Sequence, residues 1–218
     1  MTGVLSALWR ELGSRALWIA VGQTLEGWAL GLGIAAALAI PLGIAIGSSR
    51  LLYRSVRLII EFLRPIPSVA LIPLAILLYG NGLAGKVFLA VFACFWILLL
   101  QTIYGVQNVD PVAADTARAY GCASPRRLLL VTLPSAAPYL ATGIRMASSV
   151  ALILAVTAEL VIGAPGLGRA INLARSGANI DLMYALIIVT GALGCTLNAG
   201  LARLERHLLR WHAPHRRA

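Results

Sequence analysis

The chain has 218 residues, of which 60% are apolar and only 12% charged. A soluble domain carries about a quarter charged residues, so an ordinary water-soluble fold is excluded. A formal net charge of +10 would suit nucleic acid if the bases shared one soluble face, but here they fall between apolar runs, the pattern left by the positive-inside bias of membrane proteins.

Residues 1–18 place Arg10, Glu11 and Arg15 among apolar residues with no uninterrupted apolar core. They read as a short interfacial helix and not as a cleavable signal peptide. A membrane domain follows over 19–210. A helix needs about 20 apolar residues to cross a hydrocarbon core. Five segments meet that need: 27–47, 65–85, 87–106, 135–162 and 182–202. The fourth has Arg145 near one end and Glu159 near the other, positions from which charges reach the interface. The second begins among prolines. A helix over 54–63 enters the membrane, and Pro65 and Pro67 then kink or break it. An ordinary kink and a functional break both fit, since broken helices are tolerated where they line a cavity. The fold class is all-α, a polytopic membrane protein with five transmembrane helices.

Arginine placement orients the spans. Arg50, Arg54 and Arg57 follow the first, Arg118, Arg126 and Arg127 the third, and Arg203, Arg206, Arg210, Arg216 and Arg217 the fifth. The opposite side holds Arg10, Arg15, Lys86, Arg169 and Arg175. The richer side is expected to be cytoplasmic, with the amino terminus outside and a basic tail, 211–218, inside.

The loop 108–135, between the third and fourth spans, is strongly punctuated. Asp110 suits an N-cap and Pro111 the first helical position. Alanine-rich residues 112–120 follow, and Gly121 suits the helix end. Ser124 and Pro125 repeat the cap-and-proline start, and Pro134 comes soon after. Two short helices with a glycine hinge are expected, and Asp115 is an exposed carboxylate on the first. Such an element suits a soluble partner's grip, and a plain connector fits as well. After the fourth span, residues 163–168 punctuate the chain before a short external helix over 169–176. That helix meets a partner, covers the pathway or is a plain surface segment.

Ionisable residues inside spans are functional candidates. Arg64, Pro65 and Pro67 mark a pathway or helix-break site. Arg145 reaches cytoplasmic phosphates or lines the pathway. Glu159 lines the pathway or caps a loop. Cys94, Cys122 and Cys195 match no metal spacing and no even disulfide framework. No catalytic residue and no metal site is expected.

Asp115, Thr116 and Ala117, three residues, Gly121, nine residues, then Val131, Thr132, Leu133 and Pro134 resemble the cytoplasmic-loop motif of ATP-binding-cassette importer permeases. That motif runs Glu-Ala-Ala, three residues, Gly, nine residues, Ile-x-Leu-Pro. Asp115 stands for the usual Glu and Thr116 for the usual Ala. The stretches Glu61-Phe-Leu-Arg-Pro-Ile-Pro67, Leu71-Ile-Pro-Leu74, Thr142-Gly-Ile-Arg145, Ala158-Glu159 and Gly166-Leu-Gly168 look like the nitrate/sulfonate/taurine branch. Many members of that branch have a further amino-terminal span; this chain has the 1–18 segment in its place, and the shorter relatives for methionine or osmoprotectants also lack that span.

The resemblance implies a type I importer permease fold in the bacterial inner membrane. It implies a permease homodimer, or a heterodimer with a related permease. It implies a cytoplasmic ATPase dimer that binds ATP and Mg, while this chain binds no cofactor. It also implies an extracytoplasmic solute-binding protein. The loop, with Asp115, Thr116, Ala117, Gly121, Val131, Leu133 and Pro134, would then couple the ATPase to transport. A stand-alone secondary transporter or channel and a membrane scaffold are the rival classes.

Overall fold

The computed structural model of the protein describes residues 2–209. The expected tail 211–218, with Trp211, His215, Arg216 and Arg217, and also Arg210, lies outside the described residues. Within them the chain is helical, with no strand. The helices are α1 (Thr2–Leu12), α2 (Arg15–Ser48), α3 (Arg50–Leu63), α4 (Ile72–Tyr79), α5 (Leu83–Gln107), α6 (Pro111–Ala119), α7 (Ser124–Arg127), α8 (Leu133–Ile162), α9 (Leu167–Ser176) and α10 (Ile180–Leu208). Four helical stretches among the described residues are long and apolar enough to cross a membrane: Arg15–Ser48, Leu83–Gln107, Leu128–Ser176 and Ile180–Leu208. A fifth is a bent pair, Arg50–Leu63 with Ser68–Tyr79, turned by 77°.

The amino-terminal helix is shorter than its sequence suggests. It stops at Leu12, and Ser14 Oγ accepts from Ala16 N at 3.2 Å, which starts α2 at Arg15. Trp18 therefore belongs to α2, and its indole donates back to Leu12 O at 3.0 Å. The prolines act where expected. The α3 hydrogen-bond ladder ends with Arg64 N on Ile60 O, and a 3₁₀ turn over Ser68–Leu71 precedes α4. Pro73 falls in the first turn of α4, where a missing N–H costs nothing.

The second loop helix differs from expectation. It starts at Ser124 but does not end before Pro134. It runs through a π turn, Leu128–Thr132, straight into α8. Pro134 in a regular helix would clash with the carbonyl of Leu130 and leave it unbonded. The wider turn, with Leu133 N on Leu128 O, relieves that clash.

The chain divides into two compact units. Unit 1 is residues 1–35, 67–94 and 148–200, and unit 2 is 36–66, 95–147 and 201–218. In unit 1, Ile72, Ala75, Leu89, Ala90, Leu154, Ala158 and Ile162 form one core. Leu17, Val21, Leu167, Ile171, Ala174 and Leu186 form a second, which buries one face of α9. Close packing comes from small residues, because hydrocarbon supplies no hydrophobic drive between helices and backbones must approach for contact. A Cβ on Gly31 would strike Ala90 at 2.5 Å. In unit 2 the same relation holds between Gly43 and Thr102, at 2.6 Å, and between Gly47 and Val106, at 2.9 Å.

Candidate coupling loop and pathway residues

Helix α6 is specified at both ends by its own sequence. Asp110 Oδ1 accepts from Val112 N at 2.8 Å, and Pro111 opens the first turn. At the other end Gly121 N donates to Arg118 O and Cys122 N to Ala117 O, both at 3.0 Å. This pair of bonds requires a left-handed residue, and Gly121 supplies it at φ +70°. Asp115 pairs with Arg118 one turn on, at 2.6 Å. Thr116 Oγ1 donates to Val112 O at 2.7 Å.

No residue of α6 is buried. Val112 is 70% exposed and Tyr120 85%. Ala117 is half-buried and Asp115 and Thr116 are exposed, while Val131 and Leu133 are half-buried on the π turn and at the start of α8. The structure brings the first half of the motif into one exposed, capped helix. The second half lies on the segment that carries the loop into α8.

Unit 1 holds a buried ion pair that sequence reading did not join. Lys86 Nζ donates to Glu159 Oε1 at 2.9 Å, to Gln23 O at 2.8 Å and to Pro165 O at 2.9 Å. Its three protons are thus all spent. Glu159 Oε2 accepts from Thr24 Oγ1 at 2.9 Å and from Gly168 N at 3.0 Å, and Thr24 Oγ1 accepts from Leu167 N at 2.9 Å. The side chains of Lys86 and Glu159 are 1% and 0% exposed. The carboxylate caps α9, where the helix dipole favours a negative charge. Its approach also explains Gly166, where a Cβ would collide with the carboxylate, while a Cβ on Gly168 would collide with the carbonyl of Val156 and Cβ of Glu159. Lys86, read from sequence as a base at the outer interface, is instead inside the protein. The signal available was a lone lysine and a lone glutamate, each at the edge of an apolar run.

In unit 2, Arg145 Nε lies 3.5 Å from Glu205 Oε2, and Glu205 is mostly buried. Arg64, Pro65 and Pro67 stand at the break after α3, all exposed. Arg57, Arg64 and Pro65 line a cavity of about 420 Å³ with Tyr53, Ile60, Glu61, Leu100 and Tyr104. Arg57 Nε reaches Glu61 Oε1 at 2.7 Å.

Four helices long and apolar enough to cross a membrane, with a proline-broken pair as a further candidate span, mark a multi-pass membrane protein, and an exposed capped helix stands between two of them. Residues 39–210 match the family described as the binding-protein-dependent transport system inner membrane component, and the chain belongs to that family. It is 33% identical over 196 residues to the taurine transport system permease protein TauC of Escherichia coli K12, covering 90% of this chain and 71% of that protein. It is 29% identical over 198 residues to the nitrate import permease protein NrtB of Leptolyngbya laminosa, covering 90% and 71%. Among solved structures, a permease of the MetNI methionine ABC transporter in an inward-facing conformation superposes with a TM-score of 0.77. It has 20% identity and covers 88% of this chain and 95% of that one. The protein is a multi-pass permease of the inner membrane.

Proposed function

We propose that the chain forms the membrane pathway of an ATP-driven importer for a small solute bearing an oxyanion group, of the nitrate, sulfonate or taurine kind. The carboxyl terminus and α6 face the cytoplasm, as the arginine bias suggests. Two permeases pair, as a homodimer or with a related chain. Two ATPase subunits bind ATP and Mg and grip α6. A binding protein delivers solute from outside. This chain does no chemistry of its own. Gly80, Gly85 and Lys86 have the glycine–lysine spacing of a phosphate-binding loop, but Val87 stands where a hydroxyl is needed and Lys86 is spent on Glu159.

One observation carries the reading: α6 is capped at both ends, buried nowhere, and bears Asp115-Thr116-Ala117 and Gly121 at the motif spacing. A helix of nine residues is too short to hold itself in water without help, so caps on a helix with no buried residue favour a shape kept for another protein. Glu159 and Arg145, whose charges meet Lys86 and Glu205, serve the scaffold in this reading.

Co-purification tests it. The membrane-extracted permease should bring down an ATPase whose hydrolysis rises when solute-loaded binding protein is added. A permease that transports with no ATPase attached would sink the reading. A methionine-type importer is the second reading, favoured by the shared fold. Uptake of methionine in place of nitrate, taurine or a sulfonate would select it.

A further inference from the structure

Helix α3 carries Arg50, Arg54, Arg57 and Glu61, with Arg64 at its cap, at spacings of four, three, four and three. That spacing sets all five charges on one helix face. The stripe runs about 21 Å, at about 1.5 Å per residue. A charge at the middle of a bilayer is costly. A stripe of five on a membrane-entering helix therefore faces water or protein. The helix's lipid-suited surface lies to one side of it, at Leu51, Leu58 and Phe62, which are 77%, 74% and 80% exposed. Its packed surface lies to the other side, at the buried Ile60.

At the far end of the stripe lies the 420 Å³ cavity. Its charges are Arg57, Glu61 and Arg64. Arg57 and Glu61 neutralise each other at 2.7 Å. Arg64 has no carboxylate within ion-pair distance among the described residues. The cavity keeps one positive charge in excess, with the hydroxyl-bearing Tyr53 and Tyr104 in the same wall.

Resting on the importer reading above, we propose that this cavity is a transit site for a solute's singly charged oxyanion group, with Arg64 as the charge that meets it. A guanidinium presents two parallel N–H donors that match the paired oxygens of nitrate or a sulfonate. The single excess charge suits one negative charge and not two. The volume is at the low end for ligand sites and larger than such an anion, which crosses with part of its water. Glu61 keeps the hold weak by cancelling Arg57, so that the anion leaves.

The test uses the whole importer (permease, ATPase and binding protein) in liposomes, with labelled nitrate, taurine and ethanesulfonate as probes. Wild type should carry at least one of them with ATP. Arg64→Gln should lower that uptake tenfold or more. Arg64→Lys should keep a third or more. Both should keep binding-protein-stimulated ATP hydrolysis within twofold of wild type, which reports intact assembly. Should Arg64→Gln fail to assemble, Arg64→Cys with Cys122 and Cys195 replaced by serine gives the same answer. Aminoethylation, which restores a positive charge, should restore uptake, and methylthiolation should not. Uptake by Arg64→Gln within twofold of wild type overturns the site, as does restoration by both reagents alike. A wild-type importer that hydrolyses ATP on demand but carries only a cation such as choline overturns the anion site and leaves the permease reading standing. No response of ATP hydrolysis to any binding protein removes the permease reading itself.

Discussion

Two short helices outside the long spans end in the same way and are held in opposite ways. Helix α9 closes with Ala178 N on Arg175 O and Asn179 N on Ala174 O, the same bond pair that closes α6. Its start is gripped by the fully buried carboxylate of Glu159, and Leu167, Gly168, Ile171 and Ala174 are buried along it. Helix α6 has the end bonds and an N-cap of its own, and no buried residue. One helix is completed by its own chain. The other is complete in its backbone, and its side chains are left without burial. The same local chemistry therefore ends a fixed part in unit 1 and an exposed part in unit 2, which the proposed function makes a contact.

Breaking the grip on α9 should have the largest effect. Removing one member of a buried ion pair leaves an uncompensated charge and costs about 3–5 kcal/mol. Glu159→Leu and Lys86→Met should each lower the yield of folded permease and its thermal midpoint in detergent sharply. The double variant should recover part of the loss, since two apolar side chains bury no charge. Recovery should stay incomplete, because Thr24 Oγ1, Gly168 N and the carbonyls of Gln23 and Pro165 lose partners with the pair. Equal stability of the single variants and wild type would mean that the pair does not organise α9.

A middle-sized effect is expected at α6. Gly121→Val forces a β-branched residue to φ +70°, at about 1–2 kcal/mol. Because α6 has no buried residue, the cost stays local and the permease should insert and melt like wild type. ATP hydrolysis stimulated by the binding protein, and uptake, should both fall severalfold at matched permease levels. Asp115→Arg should do the same by reversing a charge on the exposed face. Normal uptake by both variants would make α6 a plain connector and dissolve the contrast with α9.

Much of this was legible in the residues, for reasons that differ along the chain. Local punctuation could be read because it acts over four residues: Asp110-Pro111 starts α6, Gly121 ends it, and Pro65 and Pro67 stop α3. Spans could be read because hydrocarbon demands long apolar runs. The pairing of Lys86 with Glu159 could not, since it joins residues 73 apart and depends on helix packing. The π turn was hidden because it is a compromise between a continuing helix and the demands of Pro134. The close contacts of Gly31, Gly43 and Gly47 were not read from the sequence, since a glycine in an apolar run gains its meaning only from the helix packed against it.

The smallest effect comes from exchanging the end residues of the two helices. Helix α6 puts glycine at its left-handed position, and α9 puts Ala178 there, at φ +53°, with Gly177 one place earlier. An L side chain in that region costs about 1–2 kcal/mol, while glycine gives back about 0.5–1 kcal/mol through the greater freedom of its unfolded chain. The balance favours glycine by up to about 1.5 kcal/mol. Ala178→Gly should therefore raise stability slightly, and Gly121→Ala should weaken the end of α6 by the same order. The two differ in where the change appears. α9 is packed into a core with α2 and α10, so Ala178→Gly should raise the melting midpoint of the permease by a degree or two. α6 buries no residue, so Gly121→Ala should leave the midpoint alone and speed hydrogen exchange at the amides of Gly121 and Cys122 severalfold. If Gly121→Ala lowered the global midpoint as well, α6 would be part of the folded body, and its exposure could no longer be taken as a sign of a surface kept for a partner.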